Sequence, residues 1–502
     1  MRDKKLLELF KRAISQLPKV TADIAIYGIG GSLMQIVGLI TIPIITRILN
    51  STEVGSLDVI NATTNFIHIL LALHLVTGLM RFFYEVSEDS KQDRKKMVSS
   101  VFWFTLMFSL VIVGTVSIFS QKLSTLLFSS EIYSDAIFLA TASLPFAAFK
   151  EIFASALRMQ RKPIKYLIIN LLHAIISFGL ILIFILRFNQ GINGYFTAQI
   201  ISGIFVTIIS AWYCRDLLGF TFSKKWFADI ASYSLPMLPG GLLNWGMMSI
   251  NRILLTQYTT ETQIAYYSVA TKTSKVIELA VSAFIMGWLP VFLANINSKS
   301  FHLKLDKVFR YYVYATISLS AFVTLFAKEF FYILAPTEYQ VGVPLVALLC
   351  LKQALTGSTY TYTVGITQTK KSYFVSISTG IGVIGTILSS LLLLPKYGIF
   401  GAAVADVIGI FIYTLLMLIF SNNLVRLELN LIPIIWSILG FLIFWIISIN
   451  LSFGNLYLDF MFRLVLLVIF LIILFVIIDR GSILNLLKKI FLSEKTERTT
   501  KL

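Results

Sequence analysis

Lys272 and Lys275 are the residues best placed to do chemistry, because both fall inside a long apolar run. A spacing of three puts them on one face of a helix, and Glu278 lies one step further along that face. Five more basic residues interrupt apolar runs: Arg47, Lys150, Arg252, Lys352 and Arg463. A Lys or Arg at the bilayer centre costs roughly 2.5–3.5 kcal/mol on insertion scales, so each is retained for a reason. Set against them, deep within the apolar runs, are the acidic residues Glu151, Glu278 and Asp406. Such a surplus of cations, with Arg81 at the end of a run added, suits an anion such as phosphate or an acidic sugar. Plainer readings stay open. Arg47 and Arg463 can snorkel to the interface, and Lys150–Glu151 or Lys275–Glu278 can pair to hold helices together.

One run also carries Thr356, Ser358, Thr359, Tyr360, Thr361, Tyr362 and Thr363. Pyranose faces are apolar and their rims hydrogen-bond, so Thr356, Tyr360 and Tyr362 are candidate sugar contacts. The competing reading is that these hydroxyls bond their own backbone or a neighbouring helix. Glu278 and Asp406 are the candidates for protonation or cation binding. Catalytic constellations are missing. Gly28-Ile29-Gly30-Gly31 opens an apolar run and follows no strand, so it is no nucleotide fingerprint. No Asp-x-Asp pair occurs, and His68, His74, His173 and His302 lack metal-ligand spacing. No enzyme activity, metal or cofactor is expected. Cys214 and Cys350, far apart, read as reduced packing residues.

The elements that position these residues are transmembrane helices. The chain is 57% hydrophobic and 13% charged, against about 25% charged in soluble domains. Apolar runs near the 20 residues that cross a bilayer recur from end to end, without the period-two alternation of a β-barrel. Fourteen spans are predicted, near 24–47, 57–80, 97–119, 134–157, 164–186, 191–214, 232–257, 264–295, 309–333, 340–366, 373–394, 397–421, 432–451 and 458–479. Counting Lys and Arg outside the spans on alternating sides gives 31 against 4. That split accounts for the net charge of +17 by topology rather than by nucleic-acid binding. It also predicts that both termini are cytoplasmic. Residues 1–23 mix Leu6, Leu7, Leu9 and Phe10 with bases, as an amphipathic cytoplasmic segment does, and show no cleavage site.

An internal repeat divides the spans. Tyr27-Gly28 and Tyr233-Ser234 open spans 1 and 7, and Arg47-Ile48-Leu49 and Arg252-Ile253-Leu254 close them. Arg161-Lys162 follows span 4 and Lys370-Lys371 follows span 10, while Gly191-Ile192 and Gly398-Ile399 open spans 6 and 12. All four pairs share an offset of about 205 to 210 residues. The expected organisation is residues 24–225 (spans 1–6), 226–422 (spans 7–12), 423–480 (spans 13–14) and a basic tail, 481–502. Six spans per repeat give two parallel lobes, an architecture suited to alternating access. Gly30 and Gly31 in span 1, and Pro236 and Pro239 in span 7, fall at equivalent places and are candidate gating bends; close packing through small residues is the alternative.

These residues also resemble a known family. Gly78-Leu79-Met80-Arg81-Phe82-Phe83-Tyr84-Glu85, Leu157-Arg158-Met159-Gln160-Arg161-Lys162-Pro163, Ser234-Leu235-Pro236, Asn251-Arg252-Ile253-Leu254, Ala265-Tyr266-Tyr267 and Tyr397-Gly398-Ile399-Phe400-Gly401 are similar to Wzx-like oligosaccharide flippases. These belong to the multidrug/oligosaccharidyl-lipid/polysaccharide exporter superfamily. Asn251 departs from an acidic residue expected in many relatives. The resemblance implies export of undecaprenyl-diphosphate-linked oligosaccharide across the bacterial cytoplasmic (inner) membrane for O-antigen, capsule or exopolysaccharide. It implies drive by an H+ or Na+ gradient, contact with membrane lipids, and a polymerase and chain-length machinery as partners. The alternatives are a multidrug antiporter, which needs a net acidic site, and a glycan polymerase or ligase, which needs a larger outer loop.

Overall fold

A computed structural model describes residues 38–86, 90–296, 298–450 and 456–478. Without water to satisfy backbone groups, an apolar run must bond to itself, and helices follow. Every span with described residues is helical, and nine helices among the described residues are long and apolar enough to cross a membrane. Leu110, Val111, Ile118, Leu392 and Ile472 present exposed side chains from them. The chain is an all-α, multi-pass membrane protein. Span 1 is described only over Gly38–Ile48. Gly30 and Gly31, the amphipathic segment 1–23 and the tail 481–502 lie outside the described residues.

Three helical stretches are interrupted along their length. Span 2 runs over Ser51–Ala72 and Leu75–Glu85, interrupted at Leu73 and His74 in the left-handed region. Span 7 consists of Lys224–Ser234, a 3-10 turn at Leu235–Met237 and Leu238–Leu255. Pro236 lies in that turn and Pro239 in the first turn beyond it, where a missing N–H costs nothing. Spans 11 and 12 meet inside Tyr373–Leu424 at Gly398, with φ 51° and ψ −130°. The other spans are Lys91–Phe128, Ser134–Met159, Pro163–Leu182 with a π turn to Arg187, Gly191–Tyr213, Glu261–Asn295, Lys299–Leu325, Leu345–Tyr362, Ile432–Asn450 and Leu456–Ile478.

The backbone carries the repeat read from the sequence. After span 4, Lys162 N–H reaches Leu157 C=O at 2.9 Å with Arg161 at φ 54°. After span 10, Lys371 N–H reaches Ile366 C=O at 3.1 Å with Lys370 at φ 57°. Both helix ends carry the 6→1 bond of the same left-handed cap. The glycines opening spans 6 and 12, Gly191 and Gly398, share φ values of 53° and 51°. Arg47 and Arg252 each donate to a carbonyl four residues back, Pro43 at 2.9 Å and Met248 at 2.8 Å. These three pairs of sequence motifs therefore fold alike, and Tyr27-Gly28 of the fourth lies outside the described residues.

By packing, the chain divides into two compact units, residues 1–265 and 266–502. In the first, Leu79, Phe83, Met97, Phe153 and Leu157 form a buried core, and span 7 packs on span 2. In the second, Gly365 N–H donates to Ser421 Oγ at 2.9 Å, and a Cβ at Gly365 would run into the Ser421 backbone. Overpacking of this kind costs about 1–3 kcal/mol. Gly365→Val is expected to lower the thermal unfolding midpoint in detergent, whereas Gly179→Ala, which enters open space, leaves it unchanged.

Candidate functional site

Polar groups inside the spans gather into a few clusters. In the first unit, at the ends of the spans away from the basic loops, Arg252 Nε donates to Asp58 Oδ2 at 2.7 Å. Their side chains are 15% and 13% exposed, so neither ion is free to the surroundings. The same end begins span 2 with a capping box between Asn50 and Glu53. Two residues on, Thr52 Oγ1 lies 3.3 Å from Thr262 Oγ1 at the start of span 8, and Gly55 abuts the Glu261 backbone. Deeper along span 7, Trp245 Nε1 donates to Ala62 C=O at 2.9 Å.

Further toward the basic loops, Lys150 Nζ lies 3.0 Å from His173 Nδ1. Its nitrogen is held by span 5, while Glu151 beside it is exposed. Arg81 pairs with Glu85 at 3.4 Å and stacks over the Tyr233 ring at 4.3 Å. Arg47 is exposed at the end of span 1.

In the second unit the two candidates Lys352 and Asp406 meet. Lys352 Nζ lies 3.0 Å from Asp406 Oδ2, and Tyr267 O–H donates to the same oxygen at 2.5 Å. All three residues are buried. The lysine offered as an anion ligand and the aspartate offered for ion coupling thus neutralise each other. Arg463, which the sequence allowed to snorkel, instead pairs with Glu329 at 2.7 Å.

The hydroxyl-rich span 10 spends its hydroxyls on itself. Thr356 donates to Lys352 C=O at 2.8 Å, Thr359 to Thr356 C=O at 2.8 Å and Thr361 to Ser358 C=O at 2.7 Å. Tyr362 is buried, its hydroxyl 3.3 Å from Ser358 Oγ and 3.3 Å from Thr414 C=O. It lines an apolar cavity of about 180 Å³ with Phe309, Val313, Leu351, Leu415 and Ile434. Tyr360 is exposed, and its carbonyl accepts from Trp288 Nε1 at 2.8 Å.

Lys272 and Lys275 remain on span 8. Lys272 is half-buried and Lys275 exposed, and no ion pair joins Lys275 to the half-buried Glu278 among the described residues. In Glu261–Asn295, Lys275 lies about 21 Å along the axis from Glu261, at 1.5 Å per residue. That is mid-membrane depth. Sequence reasoning missed Asp58, His68, His173, Tyr267 and Glu329. Asp58, His173, Tyr267 and Glu329 each act through a partner on another helix, and no local spacing announces who meets whom. Asp58 and Glu329 carried a signal, each an acidic residue just inside a span.

Residues 20–295, more than half of the chain, match the family described as polysaccharide biosynthesis protein. The chain belongs to that family. No curated protein matches it by sequence. Among solved structures it is similar to the lipid II flippase MurJ in an inward closed conformation, with a TM-score of 0.70 at 17% identity, covering 91% of this chain and 99% of that one. It is also similar to a multidrug-resistance MATE family transporter of the MOP superfamily. The inward-facing conformation gives a TM-score of 0.60 at 16% identity, covering 78% of this chain and 97% of that one. The outward-facing conformation gives 0.56 at 17%, covering 82% and 97%. At these identities the likeness establishes the fold shared with MurJ and MATE proteins.

Within this family member the Asp58–Arg252 pair offers a direct measurement. Removing one partner of a buried pair costs about 3–5 kcal/mol, whereas replacing both with apolar groups is often near neutral. Asp58→Leu is expected to destabilise strongly, and Asp58→Leu with Arg252→Met to recover most of the loss, as read by thermal unfolding in detergent.

Proposed function

We propose that the protein is a flippase that moves undecaprenyl-diphosphate-linked oligosaccharide units across the bacterial cytoplasmic membrane for polysaccharide export. The observation that carries this reading is Lys275, an exposed cation at mid-membrane depth with Lys272 one turn away. An ammonium group there is costly in lipid and useful only to a passing anion. A diphosphate supplies that anion, and the prenyl chain can stay in the bilayer while the head group crosses. Family membership, and a fold shared with a protein described as a lipid II flippase, support the same substrate class. The basic loops lie in the cytoplasm on this reading, with both termini, and the Thr52–Thr262 end faces outward. The protein transports rather than catalyses, is driven by an H+ or Na+ gradient, and hands its cargo to a polymerase with its chain-length machinery.

Alternating access between the two repeats gives the Thr52–Thr262 contact a role. Asn50-Ser51-Thr52-Glu53 and Thr260-Glu261-Thr262-Gln263 are equivalent segments of the repeat. On this reading the contact closes the outer side and must open for release.

Two measurements test the proposal. With a defined lipid-linked oligosaccharide in liposomes, Lys272→Ala/Lys275→Ala is expected to slow flipping at least about tenfold, the loss of roughly 1.4 kcal/mol or more of anion stabilisation. Unchanged flipping would remove the assignment of these lysines to the substrate anion. Thr52→Cys/Thr262→Cys, oxidised to a disulfide, is expected to stop flipping, and reduction to restore it. The native Cys214 and Cys350 are buried and leave the background low.

A further inference from the structure

Spans 2, 4 and 5 of the first unit bring together four titratable side chains that anion transport leaves unused. They are His68, Lys150, Glu151 and His173, and they act on one another electrostatically. We propose that Lys150, His173 and His68 form a proton-binding site within the membrane, one that uses neither Glu278 nor Asp406.

The geometry argues it in steps. Lys150 Nζ and His173 Nδ1 are 3.0 Å apart, a hydrogen-bond distance between two nitrogen bases. Such a contact holds one shared proton: an ammonium donating to a neutral imidazole, or the reverse. A second proton on the pair would place two cations in contact and break it. His68 supplies the remaining acceptor. Its Nε2 is buried and has no hydrogen-bond partner, an arrangement that costs free energy and marks a group kept for use. A proton taken up there makes a second cation facing Lys150, and Glu151 supplies the compensating negative charge. No cavity is needed for a ligand of this size.

Depth fits the assignment. Lys150 lies about 14 Å along Ser134–Met159 from its basic-loop end, and His173 about 15 Å along its own helix from Pro163. His68 lies about 26 Å along Ser51–Ala72 from Ser51. A proton that binds so deep enters from whichever side is open, as coupling requires. Lys150 then serves the proton through His173 rather than the substrate anion. The transport role of the site rests on the flippase reading; its proton chemistry does not.

The test has two arms. Only four histidines occur, at 68, 74, 173 and 302, so ring-15N-histidine spectra of the full chain in lipid bilayers can be assigned by single His→Gln variants. His68 is expected to take up a proton as the pH is lowered. Lys150→Met is expected to move the titrations of His68 and His173 by about one pH unit or more. A His68 that does not titrate, or midpoints that ignore Lys150→Met, overturns the site. In liposomes carrying lipid-linked oligosaccharide, an inward or outward pH gradient is expected to accelerate wild-type flipping by about fivefold or more, and His68→Gln and Lys150→Met to lose that acceleration. Acceleration retained in both variants, or absent from an active wild type, overturns coupling through this site. A wild type that flips no lipid-linked oligosaccharide overturns the flippase reading instead, with the titration still deciding the proton site.

Discussion

Hydrocarbon offers the backbone no hydrogen-bond partners, and that constraint shapes everything else in this chain. Each apolar run closes its own N–H to C=O bonds by becoming a helix. Two of the departures from helix fall at places with a local substitute. The turn at Leu235–Met237 falls where Pro236 has no N–H to lose. The reversal between spans 11 and 12 falls at Gly398, a residue without a Cβ to oppose φ 51°. Thr356, Thr359 and Thr361 follow the same rule with their side chains, returning hydroxyl protons to carbonyls of their own helix.

The same absence of water sets the terms for charge. A cation drawn into a span must find an acceptor, and in this protein most find it on another helix. Arg252 takes Asp58, Lys352 takes Asp406, Arg463 takes Glu329 and Lys150 takes His173. Three of these contacts join helices that are not neighbours in sequence, the Lys150–His173 contact joins consecutive spans, and all four fix which faces meet. Pairing also sharpens the exceptions. Once the paired ions are set aside, Lys275 stands out on span 8 as an exposed charge where exposure to lipid would be most costly.

Repetition gives this arrangement its symmetry. The capped ends at Lys162 and Lys371, the left-handed glycines at Gly191 and Gly398, and the carbonyl-bonded arginines Arg47 and Arg252 are the same local solutions used twice.

The amino-acid sequence by itself determined the helical class, the spans and the repeat, because hydropathy, charge asymmetry and turn chemistry act over a few residues at a time. Gly191 and Gly398, or Arg161 and Lys370, were recognisable as equivalent before their φ angles were known. The sequence likewise located Lys272, Lys275, Arg252, Lys352 and Asp406. What only the tertiary structure decided was who partners whom. Asp58 and Arg252 are 194 residues apart, and Tyr267 and Asp406 are 139 apart, distances over which no spacing rule operates. His173 looked like a scattered histidine until packing of span 5 on span 4 set its ring nitrogen on Lys150. Charge in a membrane span is visible in a sequence because it is costly there. Its compensation is not, because the compensating group is chosen by how the helices pack.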